Sequence, residues 1–345
     1  MQFNRRKFLQ YSSLAVSSQL LTACAIPTNQ SSSEQATGDS LDKVTYGTNW
    51  YAQAEHGGFY QALATGIYQE YGLDVTIKMG GAQVNGTQLL MGKAVDFFMG
   101  YGSDAIKAVE AGIPKITVAA IFQKDPQVLI AHLGVGNDSL EDFQGKPLYI
   151  SAAANSTYWR FLKAKYGYTD EQKRPYNFSI APFLKEKEAV QQGYLSSEPF
   201  QIQKEGGFEP IVILLADHGY TPYSTTIETR KELVENNPDL VQRFVDASIK
   251  GWYSYLKNPL PGNELIKKDN PEMSDALLSY TLDKIKEYGL IVSGDAKTKG
   301  IGAMTEEGWK SFFESMVNVG VFKPETDYRE AFTLEFVNKG VQAYQ

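Results

Sequence analysis

The fold of the chain is decided by residues 43–62, KVTYGTNWYAQAEHGGFYQA. The opening residues are rich in β-branched and aromatic side chains and predict a buried strand that ends near Trp50. An apolar, periodic segment begins after Gly57 and predicts a helix that ends at Gly72. Aromatic, acidic and imidazole side chains therefore stand where a strand gives way to a helix. In open parallel sheets, that junction is where ligands bind.

The rest of the chain repeats this alternation of apolar strands and helices up to about residue 223. Residues 115–122 and 210–217 predict strands, residues 176–183 a further strand, and residues 184–193 a helix. Beyond residue 223 the pattern is mainly helical. Apolar strands that alternate with helices indicate a mostly parallel sheet with both faces covered.

The order of these elements predicts an α/β chain with two lobes, each a mostly parallel sheet flanked by helices. We expect lobe 1 to contain residues 43–133 and 225–345, and lobe 2 to contain residues 134–224. The chain would then cross between the lobes twice, near 128–135 and 222–228. Two crossings form a hinge and leave a ligand-binding cleft between the lobes.

The N-terminus reads as an export signal. Arg5 and Arg6 precede an apolar, serine-containing run, as in a twin-arginine signal, and the run ends in LTAC at Cys24. Cys24 is the single cysteine of the chain, which favours a lipidated cysteine over an incidental one. We therefore expect a signal peptide over 1–24, a polar tether over 25–42, and a protein in the periplasm or at the cell surface, anchored to the membrane through Cys24.

Composition excludes several classes of function. The net charge of −7 argues against nucleic acid as a partner. One cysteine cannot form an intrachain disulfide or a cysteine-based metal site. The three histidines lack metal-ligand spacing, and neither a phosphate-binding loop nor a GxSxG serine is present. We therefore expect a binding protein without a cofactor or a metal ion, and not an enzyme.

The ends of the predicted strands supply the candidate ligand contacts. Tryptophan and tyrosine offer flat apolar faces, and carboxylates and amides can fix the orientation of a ligand. Few cations stand at these ends, which favours a neutral, planar, nitrogen-bearing ligand over an anion. Core packing of the aromatic residues and a structural role for the histidine remain alternatives. The candidates are Trp50, Tyr51, Glu55, His56, Gly100, Tyr101, Ser103, Gln123, Ser151, Asn155, Ser156, Tyr158, Glu198, Tyr220 and Tyr223.

Five stretches carry a family resemblance: NWYAQAEHGGFYQALATGIYQEYGLDV at 49–75, LLMGKAVDFFMGYGSDAIKAVEAGIP at 89–114, SLEDFQGKPLYIS at 139–151, AVQQGYLSSEPF at 189–200, and ETRKELVENNPDLVQRFVDA at 228–247. They resemble the substrate-binding proteins of ABC importers, in the group that binds thiamine-pyrimidine precursors, riboflavin, sulfonates and nitrate. The resemblance implies a type II periplasmic-binding fold, with an ABC permease and ATPase as partners. It also matches Tyr60 to the contact region of the first helix. We also expect the protein to be a monomer.

The sequence thus predicts an extracytoplasmic importer component that captures a pyrimidine-like or flavin-like ligand between its lobes. A binder of a small anion such as a sulfonate, nitrate or bicarbonate is the alternative. An extracytoplasmic enzyme that uses the same cleft is a second alternative, and an exported sensor or adhesin-like binder is a third.

Overall fold

A computed structural model describes residues 41–81 and 83–344. Within these residues no helix has both the length and the apolar character needed to cross a membrane. The predicted signal peptide, Cys24 and residues 25–40 of the predicted tether lie outside the described residues.

The strands are β1 (Asp42–Gly47), β2 (Leu73–Lys78), β3 (Phe97–Gly100), β4 (Lys115–Phe122), β5 (Gln127–Ala131), β6 (Leu148–Ile150), β7 (Lys173–Pro175), β8 (Val190–Tyr194), β9 (Ile211–Leu214) and β10 (Ser224–Arg230). The α-helices are α1 (Gly57–Ala64), α2 (Ile67–Glu70), α3 (Gly86–Met91), α4 (Gly102–Glu110), α5 (Tyr158–Tyr166), α6 (Ala181–Lys185), α7 (Glu198–Gly206), α8 (Lys231–Asn236), α9 (Pro238–Lys257), α10 (Leu260–Asp269), α11 (Asp275–Glu287), α12 (Ala296–Lys299) and α13 (Glu306–Asn318).

The first sheet has the strand order β2-β1-β3-β10-β4. β1 runs parallel to β2 and β3, whereas β10 runs antiparallel to both β3 and β4. Helix α9 covers this sheet with an apolar face, and the ring of Phe244 stacks 4.1 Å from the ring of Phe97 in β3. Asn237 caps the helix by accepting a hydrogen bond from the backbone N–H of Leu240 at 3.2 Å.

The second sheet repeats the arrangement with the order β7-β6-β8-β5-β9. β6 runs parallel to β7 and β8, whereas β5 runs antiparallel to β8 and β9. Each sheet is thus mostly parallel with one antiparallel strand in its fourth position. Helices pack against the strands of both sheets. The predicted α/β fold with two such sheets is confirmed.

The chain crosses between the sheets at residues 123–126 and again at residues 215–223. After each crossing, the next strand enters the other sheet as its antiparallel member. The prediction placed residues up to 133 with the first sheet, but β5 pairs within the second sheet, where Leu129 lies opposite Gln192 and Ile213. The error arose because β4 and β5 are both apolar and only four residues apart, so their pattern does not reveal a change of sheet.

Two further predicted elements differ from the structure. Residues 176–183 were predicted as a strand and residues 184–193 as a helix, but β7 ends at Pro175, α6 follows, and β8 occupies 190–194. β8 is a central strand that carries buried Gln191 and Gln192. Buried glutamines break the apolar run by which an interior strand is recognised, which explains the error.

The Gly57–Gly58 pair serves helix packing. A Cβ atom on Gly57 would lie 2.2 Å from the ring of Tyr255, and one on Gly58 would lie 2.1 Å from the ring of Trp252. Both rings belong to α9, so the two glycines let α1 and α9 approach closely. The structure thus places this pair against another helix.

Candidate functional site

A cavity of about 710 Å³ is lined by residues from both sheets. Its walls include the segments that follow the carboxyl ends of β1, β3, β6 and β8, which is where open parallel sheets present ligands. Its volume lies within the range of small-molecule sites. Nine of the predicted residues line it: Trp50, Glu55, Gly100, Tyr101, Ser103, Ser151, Tyr158, Glu198 and Tyr220.

An aromatic pair spans the cavity wall. The Trp50 ring, which follows β1, lies 4.8 Å from the ring of Phe178, which follows β7. The two ring planes meet at 50°, so both faces are inclined rather than stacked on each other. Tyr51 stands edge-on to Trp50 at 5.5 Å, but its side chain is 46% exposed and lies outside the cavity lining. Trp50 and Phe178 therefore provide flat apolar surfaces from the two sheets.

Two tyrosines join the sheets across the cavity. The hydroxyl of Tyr101, after β3, lies 2.7 Å from the hydroxyl of Tyr194, at the end of β8. Burial raises the pKa of both tyrosines above the ordinary range, so both hydroxyls remain protonated and can donate. Because one residue comes from each sheet, this hydrogen bond depends on the spacing between them.

Glu55 makes a second contact between the sheets. It lies in the short helical turn Ala54–His56 and accepts a hydrogen bond from the Oγ of Ser196, which follows β8. Burial raises the pKa of Glu55 to about 6, against the opposing effect of that hydrogen bond. Near neutral pH its carboxyl can therefore exchange between an acceptor and a donor form.

Asp125 lies in the first crossing segment and also lines the cavity. Its carboxylate accepts a hydrogen bond from the backbone N–H of Gln127 at 2.9 Å, and burial raises its pKa to about 6. Glu55 and Asp125 are therefore two buried carboxyls in one cavity, both of which titrate close to neutral pH.

Hydrogen bonds hold the part of the cavity wall that belongs to the second sheet. The Glu198 carboxylate accepts hydrogen bonds from the hydroxyl of Tyr176 at 2.9 Å and from the backbone N–H of Tyr194 at 2.8 Å. Gln192 Oε1 accepts from the hydroxyl of Tyr158 at 2.7 Å and from the backbone N–H of Ser151 at 2.5 Å. These hydrogen bonds hold the wall in place, so the main role of the Glu198 carboxylate is structural.

Besides Tyr51, five predicted residues are absent from the cavity lining, and four of them have hydrogen-bond partners elsewhere. Two have hydroxyls tied to the C-terminal part: Tyr60 donates to Asp269 at 2.9 Å, and Tyr223 accepts from the backbone N–H of Thr305 at 3.2 Å. Gln123 donates hydrogen bonds to the backbone carbonyls of Ala120 and Ala303. Asn155 is exposed and accepts a hydrogen bond from Lys173 at 2.7 Å. The fifth residue is His56.

His56 is fully buried, and neither ring nitrogen has a hydrogen-bond partner among the described residues. Burial lowers its pKa to about 3, so the ring is neutral. The structure therefore supports the alternative of a structural histidine. Ser156 belongs to the turn Ala152–Ser156, but its side chain lies outside the described part of the chain.

Several lining residues were missed. Tyr194 and Gln192 fell within or beside the helix predicted over 184–193, and Phe178 fell within the strand predicted over 176–183. Lys115 was predicted as the first residue of a strand, whereas Glu228 was predicted at the start of the helical region beyond residue 223, where the structure has strand β10 instead. For Lys115, a charged residue at the start of an otherwise apolar strand was a usable signal, because a buried charge requires a partner or a function. No comparable signal marked Glu228, because β10 is rich in threonine and was predicted as helical.

The charge of the lining is predominantly negative. Among the described residues, five carboxylates and two lysines line the cavity, and no arginine does. Such a lining repels a small anion and favours ligands that donate hydrogen bonds. In the described part of the chain, no three histidines or carboxylates lie close enough to hold a metal ion. The charged residues are Glu55, Asp104, Asp125, Glu198, Glu228, Lys107 and Lys115.

Comparison with known proteins places the chain in a family. It is 25% identical over 336 residues to the riboflavin-binding protein RibY of Chloroflexus aurantiacus, with 93% of this chain and 95% of that protein covered. It is 24% identical over 246 residues to the formylaminopyrimidine-binding protein of Halalkalibacterium halodurans, with 70% and 73% covered.

Among solved structures, the periplasmic aliphatic sulphonate-binding protein SsuA of Escherichia coli superimposes with a TM-score of 0.63 at 12% identity. The match covers 85% of this chain and 92% of that one. At this identity the similarity establishes the fold alone. The sequence profile of the NMT1/THI5-like family matches residues 53–260, and the chain belongs to that family, with the fold of a periplasmic binding protein.

Proposed function

We propose that the chain is the extracytoplasmic solute-binding component of an ABC importer and that it captures a small, planar, nitrogen-containing ligand. The observation that carries this proposal is the cavity itself, which takes its walls from two sheets joined by two crossings. The names of the two relatives support it, since one is a riboflavin-binding protein and the other a formylaminopyrimidine-binding protein.

The choice of ligand follows from the lining. Trp50 and Phe178 present faces on which a planar ring can stack. The excess of carboxylates provides acceptors for ring N–H and amino groups, and it disfavours the sulfonate, nitrate or bicarbonate of the alternative hypothesis. Discrimination among planar ligands would then come from hydrogen bonds, because an unpaired buried polar group is costly.

Capture would work by a shift between two arrangements of the sheets. The Tyr101–Tyr194 hydrogen bond and the Glu55–Ser196 contact form when the sheets are close, and residues 123–126 and 215–223 would act as the hinge. A ligand that contacts both walls stabilises the close arrangement by its differential affinity for it. That arrangement would then dock on the permease and its ATPase.

We further propose that the protein is exported by the twin-arginine route and anchored through a lipid on Cys24. The proposal rests on the Arg5-Arg6 pair and the LTAC sequence. A Cys24→Ala variant should leave the membrane fraction and appear in the soluble extracytoplasmic fraction. Unchanged membrane association of that variant would contradict the anchor.

The ligand class is tested with a thermal-shift panel that contains formylaminopyrimidine, riboflavin, adenine, taurine, nitrate and bicarbonate. A ligand present at 100 times its Kd should raise the free energy of unfolding by about 2.7 kcal/mol, and Tm by roughly 5 °C. Stabilisation by the anions alone would overturn the planar-ligand proposal, and stabilisation by none of the compounds would overturn solute capture.

Mass spectrometry of each ligand after incubation with the protein tests the enzyme alternative, since a binding protein returns its ligand unchanged.

A further inference from the structure

The cavity extends deep along the first sheet. Thr225 and Glu228 both line it and are three residues apart in β10, which corresponds to about 10 Å of strand. Lys115 lines it as well, although it stands at the opposite end of β4 from the crossing at 123–126. The deep end of the cavity therefore contains a charged pair, the Lys115–Glu228 subsite.

The local backbone aims Glu228 into this space. The pairing of β10 with β4 shifts register between Ile227 and Glu228, and such irregularities redirect side chains at functional sites. Ile227 remains in the core. A Cβ atom on Gly100 would lie 2.3 Å from the carboxyl carbon of Glu228, so the glycine in β3 leaves the room that the carboxylate occupies.

The pair is buried but not fully satisfied. Lys115 Nζ donates to Glu228 Oε2 at 2.6 Å, and the two side chains are 3% and 1% exposed. Glu228 Oε1 has no hydrogen-bond partner among the described residues. A buried ion pair is stable only when further hydrogen bonds satisfy its remaining atoms. A ligand group that donates to Oε1 would supply the missing bond.

We propose that the Lys115–Glu228 subsite binds the hydroxylated chain of a flavin-like ligand whose planar ring contacts Trp50. This inference rests on the function proposed above. A hydroxyl group can donate to Glu228 Oε1 and accept from Lys115 Nζ at the same time. An ammonium group would be repelled by Lys115 and an anion by Glu228, so a neutral hydroxyl suits the pair best.

The experiment compares riboflavin with lumiflavin, which has the same ring but carries a methyl group in place of the hydroxylated chain. Calorimetry on the whole protein should show riboflavin binding at least about tenfold more tightly, because each hydrogen bond to a buried charged group contributes to discrimination. Equal affinities, or binding of neither flavin, would overturn the subsite. Binding of another planar ligand from the panel would then leave the proposed function intact, whereas no binding across the panel would overturn both.

A double variant, Lys115→Met with Glu228→Leu, removes both polar groups without leaving an unpaired buried charge. Its riboflavin affinity should fall to that of lumiflavin, while lumiflavin affinity stays within about twofold. The matched control is Lys93→Met with Glu232→Leu, an exposed pair 2.9 Å apart that does not line the cavity. A preserved preference for riboflavin in a folded Lys115 and Glu228 variant would refute the inference. Should that variant not fold, the flavin comparison in the unaltered protein decides.

Discussion

Replacement of Trp50 by alanine should weaken ligand binding strongly. The Trp50 ring lines the cavity, and its one described contact across the cavity wall is the Phe178 ring at 4.8 Å. Stacking of a planar base on an aromatic side chain contributes about 1–3 kcal/mol, which corresponds to a Kd increase of roughly 5-fold to 150-fold. Because Trp50 is only half-buried, we expect little loss of folding stability. Isothermal titration calorimetry with the best ligand of the panel measures the change.

Two further variants make this test specific. Trp50→Phe keeps a flat ring and should lose less than about tenfold in affinity. Tyr51→Ala is the matched control, because Tyr51 is adjacent in sequence and aromatic but exposed and outside the lining. A Trp50→Ala variant that binds within twofold of the unaltered protein would remove the indole from the site, and so would an equal loss in the Tyr51→Ala variant.

Three other predictions follow from the same geometry. Burial raises the pKa of Glu55 from 4.5 to about 6, so this carboxyl stabilises the fold fully below about pH 4.5 and loses that contribution as the pH rises through 6. Glu55→Gln should therefore make the free energy of unfolding, measured by urea denaturation, less dependent on pH. At pH 7 the variant should be more stable by about 2 kcal/mol. Gly58→Ala should lower the stability by about 1–3 kcal/mol through collision with Trp252, seen as a lower Tm, and an unchanged Tm would contradict the close helix contact. Tyr101→Phe and Tyr194→Phe should each reduce ligand affinity, and the double variant should be no worse than either single one; additive losses in this cycle would show that the two hydroxyls act separately.

The fold was largely predictable from the sequence because its signals are local. Strand β1, helix α1 and the periodic helix α9 follow from apolar spacing and flanking caps or glycines. The assignment of β5 to the second sheet was not predictable, since strand pairing depends on contacts between residues far apart in the sequence. β8 was missed because two polar residues, Gln191 and Gln192, are buried in it, so the strand lacks a continuous apolar run.

The site was predictable only where it coincides with the ends of strands. Tyr101, Ser151 and Tyr158 were found because each follows a recognisable strand. Lys115 and Glu228 lie inside strands, and their approach depends on the antiparallel pairing of β4 with β10, which brings together residues 113 positions apart. Sequence periodicity carries no information about such a pair.

The segment from Trp50 to Gly58 shows how one short stretch can serve two surfaces. Trp50 and Glu55 line the cavity, whereas His56 is buried away from it and Gly58 packs against α9. The short helical turn Ala54–His56 joins these two surfaces and carries a residue of each. Strain introduced at the α1–α9 contact would therefore act on the carboxyl that meets Ser196 across the cavity. Because the chain between the two surfaces is only a few residues long, close packing of the glycines helps to hold Glu55 in place.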